Sequence, residues 1–255
     1  MREMTEFGGL HAVVTGGSRG IGAAIAAALT HGGARVTILG RSQAALKARI
    51  AAGEAQSYIV TDVTNKFGLE RAIGDIESKG AVDILVNNAG AAVSAPFART
   101  SNEDFARMLD TNFMAPAIAT RSVLAGMIER KFGRIVNICS TAALKGYPYI
   151  SAYAASKHAL LGLTRSLALE LIKTGVTVNA VCPGFVDTDM VSDAARNIAA
   201  KTGRDIEVAR AELIKMNPQG RLISPSEVAD AVCFLARRTS GSITGTALTI
   251  SGGEV

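Results

Sequence analysis

Short apolar segments of strand length alternate with longer Ala- and Leu-rich segments along almost the whole chain, and this alternation restricts the fold more than any other feature. Most of the short segments are nearly continuous in apolar residues, which is typical of strands buried on both faces of a sheet. Strands that alternate with helices form parallel sheets. The sequence therefore predicts an α/β fold with helices on both faces. In chain order the predicted strands are LHAVVTG, ARVTILG, QSYIVTDV, VDILVNNAG, GRIVNICS, GVTVNAVCPG and GTALTISGG.

The 255 residues, 48% of them apolar, are enough for one complete core, and no repeat or change of composition divides them. We therefore expect a single domain, 1–255. Segment 188–218 departs from the alternation, because it is polar, helical in pattern and dotted with Arg and Lys. Long excursions beside a site often cover that site, so this insert is predicted to be a substrate lid. The alternative is a helical insert without a function.

The charge balance and the cysteines exclude several classes of protein. The net charge is +5, but the basic residues are scattered, whereas a nucleic-acid interface needs a cluster on one face. Cys139, Cys182 and Cys233 lack CxxC spacing, which predicts no metal site and a reducing compartment. No signal-peptide run or membrane-length segment is present. We expect a cytoplasmic protein that binds neither nucleic acid nor membrane.

The segment TGGSRGIG lies where the first predicted strand meets the first predicted helix. Gly16 permits a tight turn, Gly20 lets the backbone approach a phosphate, and Gly22 lets the helix pack closely on the sheet. The free N–H groups of the helix N-terminus can then bind a pyrophosphate. This context predicts a dinucleotide site.

The end of the second predicted strand indicates which dinucleotide binds there. NAD-binding proteins usually place a carboxylate at that point, whereas an arginine accommodates the 2′-phosphate of NADP. Here Gly40 and Arg41 occupy it, and Arg19 lies in the glycine turn. The sequence therefore favours NADP(H), with NAD(H) as the alternative. Asp62, at the end of the third strand, is predicted to meet the adenine ring.

The segment YPYISAYAASKH holds three of the four tyrosines and one lysine. Lys157 follows Tyr153 by four residues, so the two side chains share one face of a helix. Tyr149 precedes the predicted helix start at Ser151, and Tyr147 precedes a proline, so only Tyr153 can share a local field with Lys157. A free tyrosine has a pKa of about 10, and a nearby cation favours the phenolate. We expect Tyr153 to exchange a proton with a substrate oxygen.

The glycine turn, the segment NNAG, Asn112, Ser140 and YAASK occur in this order, and with them the chain resembles the short-chain dehydrogenase/reductase family over nearly its whole length. The resemblance implies a Rossmann-type, doubly wound sheet of seven parallel strands in the order 3-2-1-4-5-6-7. It also implies a homotetramer that reduces ketones or oxidises secondary alcohols with a nicotinamide cofactor.

The same resemblance assigns roles to individual residues. Tyr153 would be the acid–base residue, Ser140 would hydrogen-bond the substrate oxygen, and Lys157 would hold the nicotinamide ribose. Asn112 would anchor a water molecule that links Lys157 to solvent, and Thr188 would meet the nicotinamide amide. Including the residues predicted above, the expected cofactor-binding set is Gly16, Ser18, Arg19, Gly20, Ile21, Gly22, Arg41, Asp62, Val63, Asn88, Ala89, Gly90, Tyr153, Lys157, Pro183, Gly184, Val186 and Thr188.

Segment 188–232 resembles ketoreductases that act on β-keto thioesters carried on CoA or acyl carrier protein. The basic residues of the insert would then meet a phosphate of the carrier, or they are simply solubilising charges. The alternatives are a secondary-alcohol dehydrogenase acting on a 3-hydroxy acid, hydroxyacyl-CoA, sugar or steroid-like alcohol, and a non-catalytic dinucleotide sensor. The expected apolar pocket consists of Ser94, Phe97, Leu144, Tyr147, Phe185 and Met190, and the insert cations are Lys201, Arg204, Arg210 and Lys215.

Overall fold

The computed structural model describes residues 5–255 and contains a seven-stranded sheet. All its strand pairs are parallel, and the order β3-β2-β1-β4-β5-β6-β7 confirms the predicted doubly wound, Rossmann-type arrangement. The strands are β1 (His11–Thr15), β2 (Arg35–Gly40), β3 (Ser57–Val60), β4 (Ile84–Asn87), β5 (Gly133–Ile138), β6 (Val176–Pro183) and β7 (Ala247–Ile250).

Helices cover both faces of the sheet. Side chains alternate along a strand, so Ala12 and Val14 of β1 join one apolar cluster, whereas Val13 joins the cluster on the opposite face. The helices are α1 (Gly20–His31), α2 (Gln43–Ala51), α3 (Lys66–Lys79), α4 (Asn102–Leu109), α5 (Ala115–Glu129), α6 (Ser151–Glu170), α7 (Asp189–Thr202), α8 (Ile206–Lys215) and α9 (Pro225–Ala236). Helices α1 and α9 pack on the first cluster, and α3 and α5 on the second.

The helical segment between β4 and β5 is interrupted earlier than the sequence suggests. The proline predicts a break near Pro116, but Pro116 lies in the first turn of α5, where its missing N–H is not needed. The irregularity is instead a π-turn, Asp110–Met114, between α4 and α5. This turn widens the helix at Asn112, and such turns occur often at functional sites.

The insert predicted from residues 188–218 consists mainly of α7 and α8, which pack against each other. Its two ends meet, because Ile223 donates its N–H to the carbonyl oxygen of Phe185 at 2.9 Å and accepts from the N–H of Asp187 at 2.9 Å. The insert therefore leaves the sheet directly after β6 and returns to the same place. Among residues 5–255, no helix combines the length and apolarity needed to cross a membrane.

Candidate active site

The glycine turn after β1 has the backbone shape that a phosphate-binding turn needs. Gly16 and Gly20 have positive φ angles of 67° and 53°. A Cβ atom at Gly22 would lie 2.3 Å from the carbonyl oxygen of Gly16 and 2.4 Å from Nδ2 of Asn88, so only glycine fits there. None of the described side chains caps the first turn of α1, which leaves its N–H groups free for an anion. Ile21 packs against the core behind the turn.

The turn is held by the segment that follows β4. Asn88 donates its side-chain N–H to the carbonyl oxygens of Thr15 (2.9 Å) and Gly16 (3.2 Å). The Thr15 hydroxyl accepts from the backbone N–H groups of Asn88 and Ala89 at 3.0 and 3.1 Å. Thr15 is absent from the residues predicted from the sequence; a hydroxyl residue directly before the glycine turn was the available signal.

Of the two predicted phosphate-binding side chains, Arg41 lies at the end of β2 and Arg19 lies in the glycine turn. Arg41 is exposed directly after Gly40, and a Cβ atom at Gly40 would lie 3.4 Å from the Ser18 hydroxyl oxygen. Arg19 forms an ion pair with Asp189 of the insert (3.0 Å), and both side chains are more than 60% exposed. A surface pair of this kind is weak, so Arg19 can exchange its carboxylate partner for a phosphate at small cost.

Asp62 and Val63 follow β3. The Asp62 carboxylate accepts from the backbone N–H of Thr64 at 2.9 Å and from its hydroxyl at 2.8 Å. These hydrogen bonds, helped by the charge of Arg41, lower the pKa of Asp62. Asp62 is therefore an ionised acceptor, its contact with an adenine ring stays a prediction, and Val63 packs against the core.

Lys157 is a buried lysine of α6, only 4% exposed. Its ammonium group donates to the carbonyl oxygen of Ile138 at the end of β5 (2.8 Å), and it lies over the Tyr153 ring, 5.8 Å from the centroid. A Cβ atom on Gly90 would lie 3.6 Å from the same nitrogen. The ammonium group thus sits between β5, the segment after β4 and the phenol.

Ser140 and Tyr153 flank the loop between β5 and α6. Ser140 has an extended backbone, and its hydroxyl accepts from the N–H of Ala142 at 3.1 Å, so it caps the short helical turn Thr141–Ala143. This bond uses a lone pair and leaves the hydroxyl proton available. Helix α6 begins at Ser151 as predicted, which places Tyr153 in its first turn.

Asn112 is fully buried in the π-turn and connects two parts of the site. Its side-chain oxygen accepts from the N–H of Ala91 (3.0 Å), and its amide donates to the Ala91 carbonyl (2.9 Å) and to the Ser156 hydroxyl (2.9 Å). Ser156 in turn donates to the carbonyl oxygen of Tyr153 at 2.7 Å. Asn112 therefore holds the segment after β4 against α6.

Comparison with known families identifies the group to which this arrangement belongs. The family described as short chain dehydrogenase matches residues 10–199. The chain belongs to the short-chain dehydrogenase family. It is thus an oxidoreductase, consistent with the glycine turn, the Lys157–Tyr153 pair and the order of the strands.

Individual relatives narrow the comparison. The acetoacetyl-CoA reductase of Rhizobium meliloti is 40% identical over 247 residues, which cover 95% of this chain and 97% of the relative. A 3-oxoacyl-(acyl-carrier-protein) reductase of Rickettsia bellii is 36% identical, with 98% of each chain covered. Among solved structures, a variant of actinorhodin polyketide ketoreductase crystallised with NADPH has a TM-score of 0.91 at 36% identity, covering 96% of this chain and 97% of that chain.

On one side of the site of this dehydrogenase, the loop before α6 is fixed by the C-terminus. Tyr147 lies within hydrogen-bond distance of the Thr141 hydroxyl (2.7 Å) and of the Glu254 carboxylate. Burial and the bond to Glu254 raise the pKa of Tyr147 well above its usual range, so it stays a neutral phenol. Leu144 packs against the apolar cluster that contains Cys139 and Cys182.

On the other side, the segment after β6 runs into the insert. Pro183 ends β6, Gly184 follows it, and Val186 is buried in an isolated bridge to Ile223. Thr188 precedes α7, and its methyl carbon would lie 3.2 Å from a Cβ atom on Gly20. The start of the insert therefore borders the glycine turn. The predicted contact of Thr188 with the cofactor requires this proximity.

Of the remaining predicted pocket residues, Phe185 is half-buried between β6 and the insert, and the others lie on the insert and the segment after β4. Met190 is 45% exposed in the first turn of α7, and Phe97 is 73% exposed, with its ring 6.5 Å from that of Phe105. The Ser94 carbonyl oxygen accepts from the Lys201 ammonium group of α7 at 2.9 Å. The insert thus reaches across the carboxyl edge of the sheet to the segment after β4.

The cations of the insert are largely paired within the protein. Arg204 pairs with Glu212 at 2.6 Å, and Arg210 pairs with Asp187 at 3.0 Å. These exposed contacts are individually weak. The insert therefore balances part of its own charge, and the pairs are compatible with either the solubilising or the phosphate-binding interpretation of Arg204 and Arg210. In residues 5–255, no group of three or more His, Cys, Asp or Glu side chains is arranged to hold a metal ion.

Proposed function

We propose that this dehydrogenase reduces the ketone of a 3-oxoacyl thioester, carried on CoA or acyl carrier protein, with NADPH. The observation that carries the proposal is the Lys157 ammonium group, which lies over the Tyr153 ring and is bonded to Ile138 at the carboxyl end of β5, two residues before Ser140. Asn112 holds the segment after β4, which borders the glycine turn, against the same helix α6. Ligands of open α/β sheets bind at this edge.

The residues present fit a phosphorylated dinucleotide. The uncapped N-terminus of α1 would bind the pyrophosphate, and Arg19 and Arg41 would bind a 2′-phosphate. Gly40 takes the place of the carboxylate expected in an NAD site. When bound, NADPH supplies the hydride that reaches the carbonyl carbon.

Tyr153 would protonate the substrate oxygen as negative charge develops there. The Lys157 ammonium group, 5.8 Å from the centre of the phenol ring, stabilises the negative charge that the proton leaves behind. Because Lys157 also donates to the Ile138 carbonyl, its position is set by β5 rather than by a flexible contact. Proton transfer from a positioned group of this kind contributes about 10²–10⁴-fold to the rate.

Ser140 and Asn112 complete the proposed chemistry. The Ser140 hydroxyl would donate to the same substrate oxygen, since its contact with the Ala142 N–H uses only a lone pair. Asn112 keeps the segment after β4 at a set distance from α6. Its described contacts are all within the protein, and the water-anchoring role expected from the family stays a prediction.

The substrate class is supported by the relatives, which include reductases named for acetoacetyl-CoA and for 3-oxoacyl-(acyl-carrier-protein). The insert that spans from the glycine turn to Ser94 would close over an elongated acyl chain. Phe185 and Met190, with Leu144 on the other side, would supply apolar contacts to that chain.

The experiment that tests the proposal is a comparison of NADPH oxidation across a panel of ketones. Acetoacetyl-CoA, acetoacetyl-(acyl carrier protein), free acetoacetate and an unrelated cyclic ketone are supplied at equal concentration. We expect the two thioesters to give the highest kcat/KM. A clear preference for the cyclic ketone, or oxidation of secondary alcohols with no reduction of either thioester, would contradict the proposed substrate.

We also propose that the chain acts as a homotetramer in a reducing compartment, the cytoplasm. Cys139, Cys182 and Cys233 are all free thiols, which supports such a compartment. Leu169 and Ile172, near the end of α6, are 74% and 61% exposed, which supports a covered face in an assembly. A light-scattering mass of one chain in solution would contradict the tetramer.

A further inference from the structure

The last five residues, SGGEV, turn back toward the active site instead of leaving the domain. After β7 the backbone bends at Gly252 and Gly253, whose φ angles are 63° and 90°. A Cβ atom at Gly252 would lie 2.1 Å from the side-chain oxygen of Asn217, at the end of the insert. Both glycines are therefore needed for the turn that carries Glu254 back.

Glu254 is the side chain that this turn delivers. Its side chain is only 4% exposed. One oxygen, Oε1, accepts from the Tyr147 hydroxyl and pairs with the Lys145 ammonium group at 3.2 Å. Lys145 also donates to the Glu254 backbone carbonyl at 3.2 Å and lies 5.0 Å from the centre of the Tyr147 ring. Three contacts thus join one carboxyl-terminal residue to the loop before α6.

The second carboxylate oxygen, Oε2, is buried and has no hydrogen-bond partner among the described residues. It faces Gly184, where a Cβ atom would lie 2.9 Å from it. A buried acceptor without a partner costs folding free energy. The contacts of Oε1 with Tyr147 and Lys145 are therefore the ones that hold the carboxylate between the segment after β6 and the loop before α6.

The loop to which Glu254 binds connects the two proposed hydroxyl donors. Ser140 lies at the start of this loop and Tyr153 just after its end. Tyr147 is hydrogen-bonded to Thr141, the neighbour of Ser140, at 2.7 Å. A contact that fixes Tyr147 therefore also limits the movement of Ser140, because Thr141 is bonded to Tyr147 and is the next residue after Ser140. Without the carboxylate, Tyr147 and Lys145 each lose a contact with Glu254, and of its contacts with Glu254 Lys145 retains only the bond to the backbone carbonyl.

We propose that Glu254 is a positioning residue, which fixes the loop through Tyr147 and Lys145 so that Ser140 and Tyr153 address the same substrate oxygen. This deepens the proposed function, because it concerns the same site. Glu254 contacts no reacting atom in this arrangement; it acts through the loop.

The test compares purified full-length Glu254→Ala and Glu254→Gln with the wild type. We expect Glu254→Ala to lower kcat with acetoacetyl-CoA about 10- to 100-fold, since small misplacements of catalytic groups have effects of this size. KM and the Kd for NADPH should stay within about threefold, because no proposed binding group is removed. Glu254→Gln keeps an oxygen for Tyr147 but loses the ion pair with Lys145. Its kcat should therefore lie between that of the wild type and that of Glu254→Ala.

Glu70→Gln changes an exposed residue on α3 and is the matched control. It should have the kcat and KM of the wild type.

Hydrogen exchange provides a readout that is independent of turnover. In Glu254→Ala, exchange of peptides within 140–153 should accelerate at least about tenfold, whereas peptides of α3 should be unchanged. If the wild type does not reduce acetoacetyl-CoA, the proposed substrate is wrong, and the exchange result still decides the role of Glu254. If residues 140–153 exchange in Glu254→Ala at the same rate as in the wild type, the inference is overturned. A uniform acceleration over the whole sheet with loss of NADPH binding would also overturn it, because it indicates a general structural role.

A double-variant cycle supplies the last comparison. If Glu254 acts through Tyr147, then Tyr147→Phe and Glu254→Ala should be non-additive, and the double variant should be no slower than about twice the slower single variant. Effects on kcat that multiply would show independent actions and would overturn the route through Tyr147.

Discussion

The Lys157 ammonium group lies over the Tyr153 ring, 5.8 Å from its centroid, although the lysine is buried and its nitrogen is bonded to the end of β5. A spacing of four residues on α6 puts both side chains on one face, and the hydrogen bond to Ile138 then sets the distance. The relationship therefore joins a local helical property to a contact across the fold. The first prediction follows from it.

Replacement of Tyr153 by Phe removes the hydroxyl that is proposed to transfer its proton to the substrate, and it leaves the aromatic ring in place. We expect kcat to fall by about 10³-fold or more, with the Kd for NADPH within about twofold of wild type. Steady-state kinetics and a fluorescence titration with NADPH measure the two quantities. Tyr58→Phe, on β3 away from the site, is the matched control. Full activity in Tyr153→Phe would remove the proposed mechanism.

Arg41→Asp, with Arg19 retained, tests the phosphate contact. A charge-assisted hydrogen bond is worth about 1.5–3 kcal/mol, so the preference for NADPH over NADH should fall at least about tenfold. The ratio of the kcat/KM values for the two cofactors measures it. Arg71→Asp changes the net charge equally on exposed α3 and should leave the ratio unchanged. The same ratio in Arg41→Asp and wild type would exclude this arginine as the phosphate ligand.

Asn112→Ala removes the hydrogen bonds to Ala91 and Ser156 from a fully buried position and leaves both Ala91 backbone groups without their partner. We expect the free energy of unfolding to fall by about 2–4 kcal/mol, together with kcat/KM. Denaturant titration gives the first quantity. Asn102→Ala, at the exposed start of α4, is the control. A loss below about 0.5 kcal/mol in Asn112→Ala would show that the π-turn does not depend on its asparagine.

Lys201→Met breaks the hydrogen bond between the insert and the Ser94 carbonyl. The contact is exposed, so its loss should weaken closure modestly and raise KM for the thioester about two- to fivefold, with little change in kcat. Lys215→Met, at the end of α8, removes the same charge and should not alter KM. Equal KM values in the wild type, Lys201→Met and Lys215→Met would argue against a lid that closes through the contact between Lys201 and Ser94.

The pH dependence of stability contains a contribution from Glu227. Its hydrogen bonds with Arg221, and then with the Ser224 backbone, lower the pKa of Glu227 from 4.5 to about 2. Because the folded-state pKa lies below the unfolded one, this contribution is present above pH 4.5 and is lost as the pH falls toward about 2. Glu227→Gln should therefore flatten the fall of the unfolding free energy in that window. The same slope in wild type, Glu227→Gln and the control Glu70→Gln would contradict the assignment.

Much of the fold follows from short-range properties. Continuous apolar runs alternate with helical periods, and this pattern predicts the α/β class and the parallel sheet, whereas the order of the strands is implied by the family resemblance. The glycine turn, the start of α6 at Ser151 and the cap at Ser42, which accepts from the Ala45 N–H, are likewise local. Such features depend on residues only a few positions apart, so a single sequence contains the information for them.

Other features depend on contacts between distant segments. The π-turn lies just before Pro116, and its Asn112 bonds to Ala91 and Ser156, 21 and 44 positions away in the chain. Arg19 pairs with Asp189, 170 positions away in the chain. The spacing of residues in the sequence predicts neither the partners of Asn112 nor the partner of Arg19.

By itself, the sequence determined the α/β class, the helical pairing of Tyr153 with Lys157 and the glycine turn at the first strand, because each is set within one or two turns of backbone. Only the tertiary structure decided that Thr15 holds that turn, that Lys157 is anchored to Ile138, and that Glu254 returns from the carboxyl terminus to the loop before α6. The physical reason is that a hydrogen bond needs its two atoms within about 3 Å, and for residues far apart in the chain the packing of the sheet alone sets that distance.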